Sequence, residues 1–96
     1  MTPEKVLETV NLYKQYFTER NIEPKKFNRD LFTSYSVRDD AKLEHCHAML
    51  DNIILFVQEG KMDKAFRWLG FVQGVLWAQG RYSIDEMREH NRSEDV

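Results

Sequence analysis

The sequence predicts an all-α protein: a three-helix bundle built on a long antiparallel helical hairpin, with a short fourth helix near the C-terminus. Three observations favour this fold. Apolar residues recur at helical spacings, residues suited to a left-handed stop follow the predicted helices, and no segment alternates convincingly as a strand does. The chain has 96 residues, and we expect it to form a single domain over 1–96.

The first helix is predicted over about residues 3–20. Thr2 can cap it, and Pro3 stands where the missing N–H has no cost. Asn21 can end the helix, and Pro24 disfavours an early restart. The buried stripe of this helix is predicted to consist of Val6, Val10, Tyr13 and Phe17.

Residues 21–36 are predicted to form an ordered loop whose aromatic residues fold back over the core. A second helix follows over about 37–59, with Ser36 and Asp39 as its capping pattern. Gly60 ends this helix and leaves only a short connection to the next one, which predicts a hairpin. The loop aromatics are Phe27, Phe32 and Tyr35, joined by Leu31, and the stripe of the second helix is Leu43, Cys46, Leu50, Ile53 and Val57.

The third helix, over about 62–79, is apolar on two faces and is predicted to be the centre of the fold. At about 100° per residue, the two faces lie on roughly opposite sides, so one helix needs two partners. Gly80 ends it, and the capping box from Ser83 to Glu86 starts a short helix over about 83–90. The first face is Met62, Ala65, Phe66, Leu69, Val72 and Leu76, and the second is Trp68, Phe71, Val75 and Ala78.

Gly70 and Gly74 lie four residues apart on the third helix, near Trp77, and allow another helix to approach closely. Each glycine costs a helix about 1 kcal/mol relative to alanine, so a packing reason is expected. Two interpretations stay open. The glycines receive the first or second helix inside the monomer, or they belong to a homodimer interface. The predicted interface residues are Trp68, Phe71, Val75, Gly70 and Gly74.

Composition limits the classes of partner and location. The net charge of -2 is too balanced for bulk attraction to nucleic acid or acidic membranes. One cysteine excludes an intramolecular disulfide and favours a reducing compartment. The start of the chain has no signal-peptide pattern, and the strongest apolar run is shorter than the roughly 20 residues that a bilayer span needs. We therefore expect a cytoplasmic protein that does not insert into membranes.

Two clusters on the second helix suggest metal binding but fit it poorly. His45, Cys46 and His47 are adjacent and diverge around an intact helix, so we expect Cys46 in the core between surface histidines. Glu44, His47 and Asp51 share a face, and Glu-x-x-His is a di-iron ligand pair, but the first helix presents no carboxylates toward them. The simpler interpretation is a polar flank in which His47 and Asp51 exchange a hydrogen bond.

No metal, cofactor or catalytic residue is therefore predicted, and the sequence contains no phosphate loop or nucleophile elbow. One alternative function remains open. The loop over 25–35 combines positive charge with aromatic rings, as surfaces for single-stranded nucleic acid do. The residues that would contact nucleic acid in this alternative are Lys25, Lys26, Arg29 and Tyr35.

The segment KAFRWLGFVQG at 64–74, continuing through Leu76 and Trp77 to YSIDEM at 82–87, resembles a group of small uncharacterised proteins encoded by bacteriophages. The resemblance covers about half of the chain and implies a protein in the cytoplasm of an infected bacterium. It carries no activity or site residue with it. We expect a non-enzymatic, homodimeric interaction protein, an accessory or regulatory factor that binds a host or phage protein.

Overall fold

A computed structural model of the protein describes residues 1–26 and 38–92. Within these ranges all regular structure is helical, with four helices and no strand. The bounds are α1 Pro3–Glu19, α2 Asp39–Gln58, α3 Met62–Ala78 and α4 Ile84–Asn91. The all-α prediction is confirmed, and each predicted helix agrees with an observed one to within two residues at either end.

Local signals set these ends as predicted. The Thr2 hydroxyl accepts a hydrogen bond from the Lys5 amide at 3.1 Å and caps α1. The backbone turns into the left-handed region at Asn21, Gly60 and Gly80, with φ of 58°, 75° and 70°. Ser83 forms both hydrogen bonds of the predicted capping box with Glu86. These helix ends thus follow from residues close to them in the sequence.

The start of α2 differs from the prediction. This helix begins at Asp39, its N-cap is Arg38, and no side chain caps it. The backbone carbonyl of Arg38 accepts from the Lys42 amide at 3.1 Å, so the first turn closes two residues later than Ser36 would place it. Ser36 itself, like the predicted loop residues Phe27, Leu31, Phe32 and Tyr35, lies outside the described residues.

The core lies where α1, α2 and α3 meet. All four predicted stripe residues of α1 are fully buried, as are Cys46, Leu50 and Ile53 of α2. From α3 the core receives one stripe only, and α4 contributes Met87. The remaining buried apolar residues are Leu43, Met49, Phe56, Ala65, Leu69, Val72 and Leu76.

Side-chain contacts join both ends of α2 and α3. The Gln79 side chain donates to the Asp39 carbonyl at 3.2 Å, and the rings of Phe56 and Trp68 meet edge to face at 4.9 Å. The turn at Gly60 makes the two helices neighbours, and α1 packs across both of them. In this arrangement α1 and α2 cover one side of α3, and α4 packs against α1.

Candidate functional site: the outer face of α3

Exposed apolar residues are concentrated on the side of α3 that faces away from α1 and α2. Phe71 is 55% exposed, Trp77 52% and Phe66 39%, and both Gly70 and Gly74 are exposed between them. These five residues are called the α3 outer face below. Isolated exposed apolar side chains are ordinary, but three aromatic rings on one helix face form a patch that typically marks an interaction site.

Within residues 1–26 and 38–92, nothing packs against the two glycines of the α3 outer face. A Cβ placed on Gly70 or Gly74 would meet nothing within 4 Å outside the nearby backbone of its own helix. The interpretation that these glycines receive α1 or α2 is therefore wrong, because those helices pack on the opposite stripe of α3. In the part of the chain that the structure describes, no packing contact accounts for the cost of two glycines in a helix interior.

An open apolar groove adjoins this face between α3 and α4. Its volume is about 310 Å³, and its walls include Gly74 and Trp77 from α3 and Ile84 and Met87 from α4. Ile84 is 52% exposed, so the apolar surface continues from α3 onto α4. Arg88 and Asn91 supply a polar edge. The sequence interpretation omitted Ile84, whose apolar side chain at the first position of α4 was the available signal.

The predicted interface residues divide between two environments. Phe71, Gly70 and Gly74 lie on the exposed side, whereas Trp68 and Val75 are half-buried and pack against the core. The ring of Phe56 on α2 contacts the ring of Trp68. The periodicity of α3 gives no indication of this contact. The second apolar face of α3 is therefore partly covered by its own chain.

Phe66 differs from its predicted position. The sequence places it on the buried stripe with Ala65 and Leu69, but it lies at the edge of that stripe and is 39% exposed. Trp77, at a similar helical position three turns later, is also exposed. The covering helices bury a narrower strip of α3 than its apolar pattern offers, so both aromatic rings remain in solvent.

A buried polar network holds α4 against the other helices. The Tyr13 hydroxyl lies 2.8 Å from Nδ1 of His90 and accepts from the Gln73 amide at 3.0 Å. The Thr9 hydroxyl donates to the His90 carbonyl at 2.9 Å, and Gln73 also donates to Asn91 at 2.7 Å. Because the Tyr13 oxygen already accepts from Gln73, its proton points at His90 Nδ1, which then acts as the acceptor of a neutral imidazole.

Burial shifts the acidity of this network. It raises the pKa of Tyr13 to about 12, so the hydroxyl stays protonated. Burial also lowers the pKa of His90, with Lys5 acting in the same direction and Glu86 opposing it. Both shifts favour the neutral forms that the hydrogen bonds need. We assign this network the structural role of docking α4.

The polar cluster predicted on α2 is not assembled. His47 is buried, stacks on Phe17 and donates from Nδ1 to the Ile22 carbonyl at 2.7 Å. Asp51 is exposed and pairs instead with Lys14 at 2.7 Å. The predicted hydrogen bond between His47 and Asp51 is therefore wrong, as is the surface position of His47. The Glu44 carbonyl accepts from the Lys25 amide, which holds the chain after α1 against α2.

Cys46 is fully buried, as the stripe of α2 predicts, and burial raises the pKa of its thiol to about 12. Such a thiol is neither a nucleophile nor a ready metal ligand at neutral pH. Across the described residues, no group of three or more histidine, cysteine or acidic side chains could hold a metal ion.

The basic-aromatic loop is described only at its beginning. Lys25 and Lys26 are exposed, and Lys25 pairs with Glu23 at 3.0 Å, which also raises the pKa of its ammonium group. Arg29 and Tyr35, the other two predicted nucleic-acid contacts, lie outside the described residues. The charge of one predicted contact is thus offset by a neighbouring carboxylate.

Comparison with known proteins identifies no relative: no family model, curated protein or solved structure matches the chain. None of the helices in 1–26 and 38–92 combines the length and apolar character needed to cross a membrane.

Proposed function

We propose that the protein is a non-enzymatic helical interaction module that forms a homodimer through the α3 outer face. In this proposal α1, α2 and α3 act as a three-helix bundle on an antiparallel α2–α3 hairpin, and α4 is a short addition that extends the binding surface. The observation that carries the proposal is the pair of exposed glycines, Gly70 and Gly74, flanked by the exposed rings of Phe71 and Trp77.

Dimer formation would cover the exposed apolar area of the α3 outer face. A second copy that packs on this face removes aromatic surface from water, at about 25 cal/mol for each Å² of apolar area. The glycines let the two backbones approach closely, so that flanking side chains of both copies come into contact. A two-fold dimer buries the same patch on both subunits, so one exposed face removes twice its own apolar area from water.

The setting of this dimer is also a proposal. The resemblance of 64–87 to small phage proteins supports an accessory or regulatory role in the cytoplasm of an infected bacterium. In that role the dimer would present its remaining surface to a host or phage protein.

The test is sedimentation of the wild-type protein at micromolar concentrations beside matched variants. Phe71→Glu places a charge on the proposed interface, and Leu55→Glu places the same charge on α2 at a residue of similar exposure, 52% against 55%. We expect a wild-type dimer, a monomeric and still helical Phe71→Glu variant, and a dimeric Leu55→Glu variant. A wild-type protein that stays monomeric throughout this range contradicts the proposal.

A further inference from the structure

The exposed side of α3 has a symmetric pattern along the chain. From Arg67 to Trp77 its residues follow one another at spacings of three, four and three, and the order is the same when it is traced from either end. The centre of this pattern lies midway between Gly70 and Gly74. The residues are Arg67, Gly70, Gly74 and Trp77, and Asp63 lies one turn before them on the same face.

Resting on the proposed homodimer, we infer that two copies dock with their α3 helices antiparallel, with Gly70 of each against the partner's Gly74. A two-fold axis through the centre of the pattern generates this arrangement. It pairs every position of the stripe with the position at the same distance on the other side of the centre. The two closest backbone contacts then fall where side chains are absent.

Charge favours this direction over a parallel one. In the antiparallel pair, Arg67 lies toward the ring of the partner's Trp77, a favourable place for a cation, and Asp63 lies far from the partner's Asp63. A parallel pair would set Asp63 against the same aspartate and Arg67 against the same arginine. In the described residues neither Asp63 nor Arg67 has an ion pair within the monomer, so both charges are open to a partner.

The flanks of the α3 outer face fit the same geometry. Phe71 lies on one flank, whereas Phe66 and Trp77 lie on the other, and Trp77 lines the groove. The two-fold axis keeps like flanks together, so Phe71 meets the partner's Phe71, and Phe66 meets the partner's Trp77 at the mouth of the groove. The groove of about 310 Å³ is open on this side and accommodates an aromatic ring. A parallel pair would turn Phe71 toward the groove but would align the like charges.

Disulfide trapping tests the direction. Gly70→Cys and Gly74→Cys are made separately, one of them with a size tag, and are oxidised alone and after mixing to allow exchange of subunits. The native thiol does not interfere, because Cys46 is fully buried and its pKa is raised to about 12. Glu8→Cys, on an exposed position of α1, measures cross-linking by random collision. Wild-type sedimentation is measured in parallel.

We expect the mixture of Gly70→Cys and Gly74→Cys to give a cross-linked product between unlike chains at least tenfold faster than either variant alone or Glu8→Cys. Self-linking of Gly70→Cys alone, with no gain on mixing, shows a parallel pair and overturns the inference while the proposed dimer stands. A wild-type dimer with no cross-link above the Glu8→Cys rate overturns it as well. A monomeric wild-type protein overturns both the inference and the proposed function.

Discussion

The Tyr13 hydroxyl and Nδ1 of His90 lie 2.8 Å apart across 77 positions of sequence, and this contact ties α4 to α1. The short fourth helix has only Met87 as a buried apolar anchor. Its docking, and with it one wall of the α3–α4 groove, therefore depends on polar contacts more than on apolar burial.

Tyr13→Phe tests this dependence. The substitution keeps the ring and leaves both Nδ1 of His90 and the Gln73 amide short of a buried partner, so we expect a loss of about 1–3 kcal/mol in the free energy of unfolding. Urea denaturation followed by circular dichroism measures it. Tyr16→Phe is the control, because the hydrogen bond that the Tyr16 hydroxyl accepts from Arg81 is long, at 3.4 Å. Equal losses in the two variants would contradict the role given to the network.

Stability should fall on mild acidification. Burial lowers the pKa of His90 and, with Lys26, that of His45 below the ordinary value of 6.5. The unfolded chain then binds more protons than the folded one between the folded pKa values and 6.5. Stability is thus complete above about pH 6.5 and declines as pH falls through that value toward the folded pKa. Protonated His90 can no longer accept a hydrogen bond from the Tyr13 hydroxyl, and this is the structural cause of the part of the stability loss that is due to His90.

The measurement is the urea midpoint at a series of pH values from about 8 to 5. His90→Asn supplies a non-titrating acceptor near the position of Nδ1, so we expect a shallower decline in this variant, with the remaining slope due to His45. An unchanged pH dependence in His90→Asn would show that His90 is not the titrating group.

Substitution of the exposed glycines should move folding and assembly in opposite directions. Gly74→Ala meets open space and removes a flexible residue from a helix interior, so we expect the monomer to gain about 0.5–1 kcal/mol. The added methyl groups hold the two backbones of the dimer apart, so the dissociation constant should rise. Thermal unfolding at low concentration and sedimentation at high concentration separate the two effects.

Gly80→Ala is the matched control for this pair of measurements. Its φ of 70° strains any residue with a side chain, so the same substitution should destabilise folding by about 1 kcal/mol and leave association unchanged. If Gly74→Ala strengthened or preserved the dimer, the glycines would not be at its closest contact.

The separation of His47 from Asp51 predicts unequal effects on stability. His47→Phe keeps a ring against Phe17 but removes the donor to the Ile22 carbonyl, and we expect a loss of about 1–3 kcal/mol. Asp51→Asn breaks an exposed pair with Lys14 and should cost under about 1 kcal/mol. Chemical denaturation of both variants provides the comparison. Similar losses would indicate that the two side chains act together after all.

Much of the fold follows from local patterns. The stripe from Val6 to Phe17 and the stops at Asn21, Gly60 and Gly80 depend only on helical periodicity and backbone preference, and all are found as predicted. The candidate site was predicted less completely. The exposure of Phe66 and the partial burial of Trp68 depend on how much of the α3 surface the neighbouring helices cover. Periodicity within α3 carries no information about that covered area.

His47 shows the same limit from the polar side. Its position on α2 suggests a partner four residues away, but the chain after α1 brings the Ile22 carbonyl within 2.7 Å of its ring. A buried imidazole donates its hydrogen bond to whichever acceptor lies within reach in the folded chain. Helical spacing identifies only the neighbours on the same helix.

The amino-acid sequence by itself determined most of the helix ends and most of the residues that each helix buries, because caps, left-handed stops and apolar spacing act within a few residues. Only the tertiary structure decided which part of α3 stays uncovered, that Gly70 and Gly74 receive no helix of their own chain, and that His90 fastens α4 to Tyr13. These outcomes depend on which surfaces are brought together by segments far apart in the sequence. Local patterns of caps and apolar spacing carry no information about such contacts.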